Sequence, residues 1–482
     1  MKYSFLHLLF LFESTTVLLA SCATYHQKIQ TYYSYVDKGE YKKASAALDD
    51  NKFLQKERNL PLYFAEKGRI EYLSNHYKES NFYLNQVDNI AEDQRKTVND
   101  AIKGTLVNPM LQTYQIQDFE KFMVHYYKAI NYCNLNDLEG AMVEARRITL
   151  NNDLLNDVKK DNVQKYSSDA FSLILQGILY EKNNDINNAF ISYRNAVNTF
   201  TSQLDNKWLG TPLPDQLKQD VIRTANWLGL TDEQLYYENL FNKQYIKDTS
   251  TGGALIVFWE HGKAPVKVEQ NIVLTLVKNE GAVVTYQDDN ETFAVPIPTG
   301  FNNADPVGLD GLQTFRVALP SYSIVNSNDV SANITTNQHT QTNMQQVIDI
   351  NTIAKQVLKE NRAKDIINAV TRLVTKKAIE IGAREGTKAI AKNNGSDDKN
   401  ENSQNADEIG AVVGLAFQAY SLFSEKADTR NWQTLPSGIQ YVRLPLKKGH
   451  NKIQINVAGS SAKKEIDIMG NGSIQLYSFY TN

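Results

Sequence analysis

Cysteine is almost absent from this chain: 482 residues contain two, Cys22 and Cys133. A disulfide framework is thereby excluded. The seven histidines, His7, His26, His76, His125, His261, His339 and His450, include no pair at metal-ligand spacing, and no HExxH, GxSxG, P-loop or strand-following GxGxxG occurs. No metal and no cofactor is expected. Neither charge dominates, since 51 Lys plus Arg stand against 54 Asp plus Glu. The net charge of −3 offers no footprint for nucleic acid. A mean hydropathy of −0.44 excludes a polytopic membrane protein. The length allows two to four domains with ample cores.

What is present begins at the N-terminus. Met1-Lys2 is followed by an apolar stretch through Leu6, Leu8, Leu9, Phe10, Leu11 and Phe12, interrupted by Glu13, and then by Val17-Leu18-Leu19-Ala20-Ser21-Cys22. The order is that of a secretory signal, residues 1–21. Leu19-Ala20-Ser21-Cys22 resembles the bacterial lipobox, which implies cleavage before Cys22 and a diacylglycerol on its thiol. Two or three acyl chains would hold the protein on a membrane without a spanning helix. Ala23-Thr24 lack the aspartate associated with inner-membrane retention, so the expectation is the outer membrane, facing the periplasm. Cys133, among Ile130, Tyr132 and Leu135 on a helical pattern, reads as a small buried hydrophobe.

From residue 22 to 247 apolar residues recur at three and four, the period of helices. One unit repeats: Tyr41 with Ala44, Tyr77 with Ser80, Leu138 with Ala141, and Ile186 with Ala189, each pair following a tight turn. The small residue lets two helices approach, and the large one fills the groove beside it. This pattern resembles the tetratricopeptide repeat, with Gly177, Tyr180, Ala189, Tyr193 and Ala196 at its small and aromatic positions. The resemblance implies a solenoid with a concave docking face. The longer third interval implies an insertion near Asn151 to Asp161. Gln216 to Leu228 and Asp232 to Phe241 read as a closing helix pair. The many tyrosines, Tyr25, Tyr32, Tyr33, Tyr35, Tyr63, Tyr72, Tyr126 and Tyr127 among them, read as inter-helix packing or as an aromatic groove.

A polar linker, Asp248 to Gly253, marks a change of pattern. Ala254 to Trp259 is a continuous apolar run and hence a buried strand. Further strands are expected at Val266 to Val268, Ile272 to Val277, Phe293 to Ile297, Thr314 to Leu319, Ile439 to Leu446, Ile453 to Val457 and Ile474 to Phe479. Residues 248–482 thus read as a β-rich sandwich or small barrel. A helical insertion at about 345–426 interrupts it, with a mobile polar loop at about 393–407. Ile409 to Ser424, with Gly410 and Gly414, reads as a buried helix or as a partner or membrane contact. The fold class is therefore α+β.

The segments Phe258 to Lys267, Arg316 to Pro320, Ala427 to Pro436 and Arg443 to His450, taken with the lipobox and Ala141 to Arg147, resemble an uncharacterised family of bacterial lipoproteins. That family joins tetratricopeptide-like helices to such a C-terminal region, and the resemblance implies architecture alone. Candidate recognition residues are Glu144, Arg146 and Arg147 near a helix end, Glu260 and His261 at a strand end, and Asp428, Arg430 and Trp432 before a strand. Each has a plainer reading as an ion pair, a turn cap or loop packing. Adjacent Glu260 and His261 face opposite sides of a strand, so they make a poor acid–base pair. The function expected is a non-enzymatic, lipid-anchored adaptor for an envelope protein or peptide. Glycan capture and wall hydrolysis are the alternatives.

Overall fold

The computed structural model describes residues 24–97, 109–159, 166–277, 283–288, 291–296, 314–324, 331–336, 341–393, 426–459 and 463–482. The signal, Cys22, Ile409 to Ser424 and all of the expected mobile loop but Asn393 lie outside them. The described residues mix helix and strand, with the helices gathered in the N-terminal half and no closed barrel.

Ten helices form five successive pairs: α1 (Tyr25–Asp37) with α2 (Tyr41–Asp49), α3 (Leu60–Leu73) with α4 (Tyr77–Thr97), α5 (Asp118–Asn134) with α6 (Leu138–Lys159), α7 (Ala170–Lys182) with α8 (Ile186–Thr201), and α9 (Asp215–Trp227) with α10 (Thr231–Phe241). One turn joins the members of every pair. Gly39, Asn75, Asn136, Asn184 and Gly229 all hold φ between 56° and 70°. The next amide donates five residues back: Glu40 to Tyr35, His76 to Glu71, Asp137 to Tyr132, Asp185 to Tyr180 and Leu230 to Ala225. This is a Schellman cap, and glycine and asparagine are the residues that tolerate its left-handed position. The insertion expected near Asn151 to Asp161 is helical as far as Lys159, within α6.

The small residues work as the pattern requires. Ala44, Ala141, Ala189 and Ala196 have no exposed surface, and Ser80 donates to the Gly68 carbonyl at 2.8 Å. Tyr41, Tyr77, Leu138 and Tyr180 pack half-buried against the same core. A Cβ on Gly177 would meet the Tyr193 ring at 2.4 Å. That ring cannot swing away, because it is fully buried and its hydroxyl is bound to Glu181 at 2.9 Å. Gly177→Ala is therefore expected to cost about 1–3 kcal/mol by overpacking, read as a lowered urea midpoint at unchanged m-value.

The C-terminal half builds three four-stranded sheets. In the central one the order is β10 (Gln345–Asp349), β11 (Gly438–Pro445), β3 (Ala254–His261) and β14 (Ile474–Thr481), with β14 parallel to β3 and the other pairs antiparallel. A second sheet holds β13 (Lys463–Gly470), β12 (Gly449–Val457), β8 (Ala332–Thr336) and β9 (Gln341–Asn343). The third orders β6 (Glu291–Pro296), β5 (Val283–Asp288), β4 (Val266–Val277) and β7 (Thr314–Ser323). Within the helical half a small ribbon pairs β1 (Lys207–Trp208) with β2 (Thr211–Pro212). Residues 345–349, expected to be helical, are strand β10, because Val347 and Ile348 are buried in an antiparallel ladder with β11. α11 (Ile350–Asn393) follows without a loop, its first turn capped by Asp349, which accepts from the Thr352 amide at 3.1 Å.

β3 explains its own apolar run. Ile256 and Phe258 point into the core shared with the helices, while Leu255, Val257 and Trp259 point into a second core with Ile334, Ile453 and Ile455. A strand covered on both faces needs no alternation. The order of layers is helical array, central sheet, second sheet.

Candidate interaction surfaces

The concave side of a helical-repeat array is where a partner would be sought first, and here the chain itself fills it. α3, α5 and α7 are buried nearly all round. Against them lie β3 and an extended segment, residues 427–437, that contains Arg430 and Trp432. The array binds this segment largely through its main chain. The Gln433 amide donates to Glu66 Oε1 at 3.0 Å and the Trp432 amide to Glu120 Oε1 at 3.0 Å. Arg69 Nε reaches the Thr434 carbonyl at 3.3 Å, and the Tyr33 hydroxyl donates to the Gln433 carbonyl. His26 Nδ1 lies 2.8 Å from Gln433 Oε1.

Arg430 is fully buried and neutralised by Asp428, with Nη2 2.6 Å from Oδ2. Its remaining donors reach Asn59 Oδ1 and the carbonyls of Gln112 and Pro109 at 2.9, 2.9 and 3.0 Å. Trp432, 1% exposed, packs edge-on against Tyr127. Arg430 and Trp432 are thus not surface recognition residues; they close the array's own groove. The aromatic-groove reading of the tyrosines ends the same way, because Tyr32, Tyr33, Tyr72 and Tyr126 spend their hydroxyls on Glu66, Gln433 and Glu260.

Glu260 points into the array and is buried. Its carboxylate meets Arg69 at 2.6 Å and accepts from Tyr72 and Tyr126 at 2.7 and 2.9 Å. Tyr72, Tyr127 and Tyr480 surround the guanidinium, with ring centres 4.6–5.1 Å away. His261 points the other way, against the Trp259 ring. Burial pushes the imidazole down to about 4, so it is neutral at physiological pH. The two residues share no face and form no acid–base pair. Burial raises Glu66 to about 7 despite its hydrogen bonds from Thr434, Tyr32 and Gln433. Burial also pushes the Cys133 thiol up to about 11, away from reactivity.

A second clamp ties helices to sheet. Glu181 on α7 lies 2.8 Å from Arg223 on α9 and 2.6 Å from Arg443 on β11, and Arg223 reaches Asp220 at 2.6 Å. Burial works to raise the Glu181 pKa, but the two guanidiniums prevail and hold it at about 2. A depressed carboxyl stabilises the fold above its unfolded value of roughly 4.3 and loses that contribution as pH falls through its folded value. The stability gap between the wild type and Glu181→Gln should therefore narrow steadily between pH 5 and 2, as followed by urea titration at each pH.

Glu144 is buried as well. With Asp88 and His125 it forms a group whose ligand atoms lie within 4.8 Å of one another. The place a cation would take is held by the Lys128 ammonium, 2.9 Å from both Asp88 Oδ2 and Glu144 Oε1. His125 is spoken for on both nitrogens, by Glu144 at 2.8 Å and Asn151 at 2.7 Å. Arg147 pairs with Glu92 at 3.0 Å and Asp88 at 3.4 Å. These residues form an internal ionic network, whereas Arg146 remains exposed.

The open surface lies at the end of the array. Among the described residues thirteen large apolar side chains are exposed, and six of them fall between residues 227 and 246: Trp227, Leu230, Leu235, Tyr236, Leu240 and Ile246, at 38–68% exposure. The terminal unit of a solenoid normally turns a polar face to water. Tyr236 and Leu240, one helical turn apart, share a face of α10.

Sequence reasoning missed Arg69, Glu66, Glu120 and Glu181. For Glu181 a signal was there, an acid at the end of an otherwise apolar helix; Glu66, Arg69 and Glu120 stand beside other charges, which hid them.

No protein-family model and no curated protein matches this chain. Among solved structures it is similar to the crystal structure of MamA, with 13% identity, a TM-score of 0.26 and coverage of 43% of this chain and 89% of that one. NprR in complex with its cognate peptide NprX shows 15% identity and a TM-score of 0.18, over 48% of this chain and 70% of that one. The apo quorum sensor NprR from B. thuringiensis shows 13% identity and a TM-score of 0.19, over 50% and 71%. Likenesses this distant carry no argument, and the repeat character of the helices rests on the five identical turns.

Proposed function

We propose that this chain is a lipid-anchored protein of the bacterial cell envelope that acts as a non-enzymatic interaction scaffold, with its closing helix pair as the contact surface. The observation that carries the reading is the concentration of exposed apolar side chains on α9, α10 and the residues after them. Apolar patches on a soluble surface mark contact sites. The groove carboxylates Glu66, Glu120 and Glu260 all accept hydrogen bonds from the chain itself, which favours a structural over a catalytic role. Only Ala23 and Thr24 separate Cys22 from α1. An acyl group on Cys22 would therefore hold the array within about 10 Å of the bilayer surface.

Two measurements test this. A photocrosslinking residue at Tyr236 in the native envelope should capture a reproducible protein partner, and Leu240→Lys should abolish the capture. Equal labelling from an exposed position on β12, such as Lys452, would refute the contact surface. Radiolabelled fatty acid should enter the chain and be absent from Cys22→Ser; unchanged labelling would refute the anchor.

A further inference from the structure

On the side of α7 away from the sheets, a cleft of about 710 Å³ opens between α6 and α8. Phe171, Glu181 and Lys182 reach the sheets from one side of α7. Leu173, Gln176 and Tyr180 stand opposite, by the helical period, and form the cleft floor.

The floor is locked. Buried Gln176 donates to the Ala145 carbonyl at 2.5 Å and accepts from Ser192 at 3.0 Å, bridging α6 to α8. One level further along, Asn152 accepts from Ser168 at 3.0 Å, and Ser168 in turn meets Thr199 at 3.3 Å. These two levels show that α6 and α8 run in the same direction at a set separation.

The walls are neutral. Of eighteen lining residues only Arg146 and Asp153 carry charge. Asparagine is a poor helix former, and a merely solvated helix face is better served by Lys, Glu or Gln. Here Asn195 and Asn198 project from α8 and Asn156 from α6, all exposed and with no side-chain hydrogen bond among the described residues. Arg146, at the Tyr180 end, has no carboxylate partner among the described residues.

We propose that this cleft binds an extended, largely uncharged polypeptide segment carrying a carboxylate at the Arg146 end. An asparagine amide offers one carbonyl and one NH₂, the groups a peptide main chain also presents, so it satisfies a peptide unit from both sides. From Asn188 to Ser202 the wall is about 21 Å long at 1.5 Å per residue. That matches about six residues of extended chain. A nucleic acid would require a basic surface and a bilayer an apolar or basic one, and the cleft is neither. This surface rests on the scaffold reading and adds to it a site chemically unlike the apolar closing pair.

The test uses the full mature chain without its acyl group. A displayed library of random heptapeptides is panned on it, and the strongest peptide is synthesised as C-terminal acid and as C-terminal amide. Its affinity is then measured by fluorescence anisotropy. Asn195→Ala/Asn198→Ala alters only exposed side chains, so folding is retained, and it should weaken binding by about tenfold or more. Arg146→Glu should reverse the end preference, selecting lysine where the wild type selects an acid. Either synthetic form supports the site: loss by the amide places the acid at a chain terminus, and retention places it in a side chain. No enrichment above the display background overturns the proposal, as does equal binding by the Ala variant. Binding confined to oligosaccharides on a glycan array overturns it too. None of these readings depends on the α10 surface, which stays unaltered.

Discussion

Arg69→Met is expected to destabilise the folded chain by about 3–5 kcal/mol, the cost of leaving one member of a buried ion pair without its partner. Arg69 and Glu260 have no exposed side-chain surface. Methionine roughly fills the volume, so the loss is electrostatic: the Glu260 carboxylate keeps only the Tyr72 and Tyr126 hydroxyls. The double variant Arg69→Met/Glu260→Leu removes both charges and should recover most of the loss. Urea denaturation of all three proteins decides it. If the double variant were no more stable than Arg69→Met, the pair would owe its effect to shape rather than charge. The pair joins α3 to β3, so helical and sheet probes should report one shared transition in the wild type.

Arg430→Ala should cost a similar amount, about 3–5 kcal/mol, by a different route. Several acceptors lose their donor together: the Pro109 and Gln112 carbonyls, Asn59 Oδ1 and the Asp428 carboxylate. Each buried acceptor left unpaired costs about 1–3 kcal/mol, moderated by relaxation and water entry. Arg430→Lys should rescue little, because a single ammonium cannot replace a planar fork with five donors. Hydrogen exchange gives the spatial readout: protection should fall in residues 427–437 and in the Pro109–Leu111 turn. Loss confined to residue 430 would show that the segment is held by Trp432 and the Glu66 and Glu120 acceptors instead.

Much of the fold was legible because its rules are local. A glycine or asparagine followed two residues later by a large apolar residue, and then by a small one, marks a Schellman turn leading into a tightly packed helix. Gly39, Asn75, Asn136 and Asn184 all follow it. The fifth turn, at Gly229, was harder to see, since Gln234 stands where the others have alanine or serine. The apolar run Ala254–Trp259 likewise announced a strand covered on both faces. Gln345–Asp349 misled because five residues preceding a 44-residue helix carry its period by chance; only the ladder with β11 makes them a strand.

The candidate residues show the limit. Glu144, Glu260, Arg430 and Trp432 each carry two readings in the sequence, surface recognition or a plain ion pair and packing, and local sequence does not decide between them. Three of the four residues are buried by segments far away in the chain: Arg430 is held by residues 58, 59, 109 and 112, Trp432 by residues 120 and 127, and Glu260 by residues 69, 72 and 126. What could be read residue by residue was conformation over one or two turns, where backbone sterics, caps and hydrophobic period act within a few positions. What required the assembled chain was the fate of the concave face. Whether a helical array receives a partner or its own strand depends on contacts hundreds of residues apart. No local propensity encodes them, and here they consume the groove and leave the array's outer cleft and closing pair as its open surfaces.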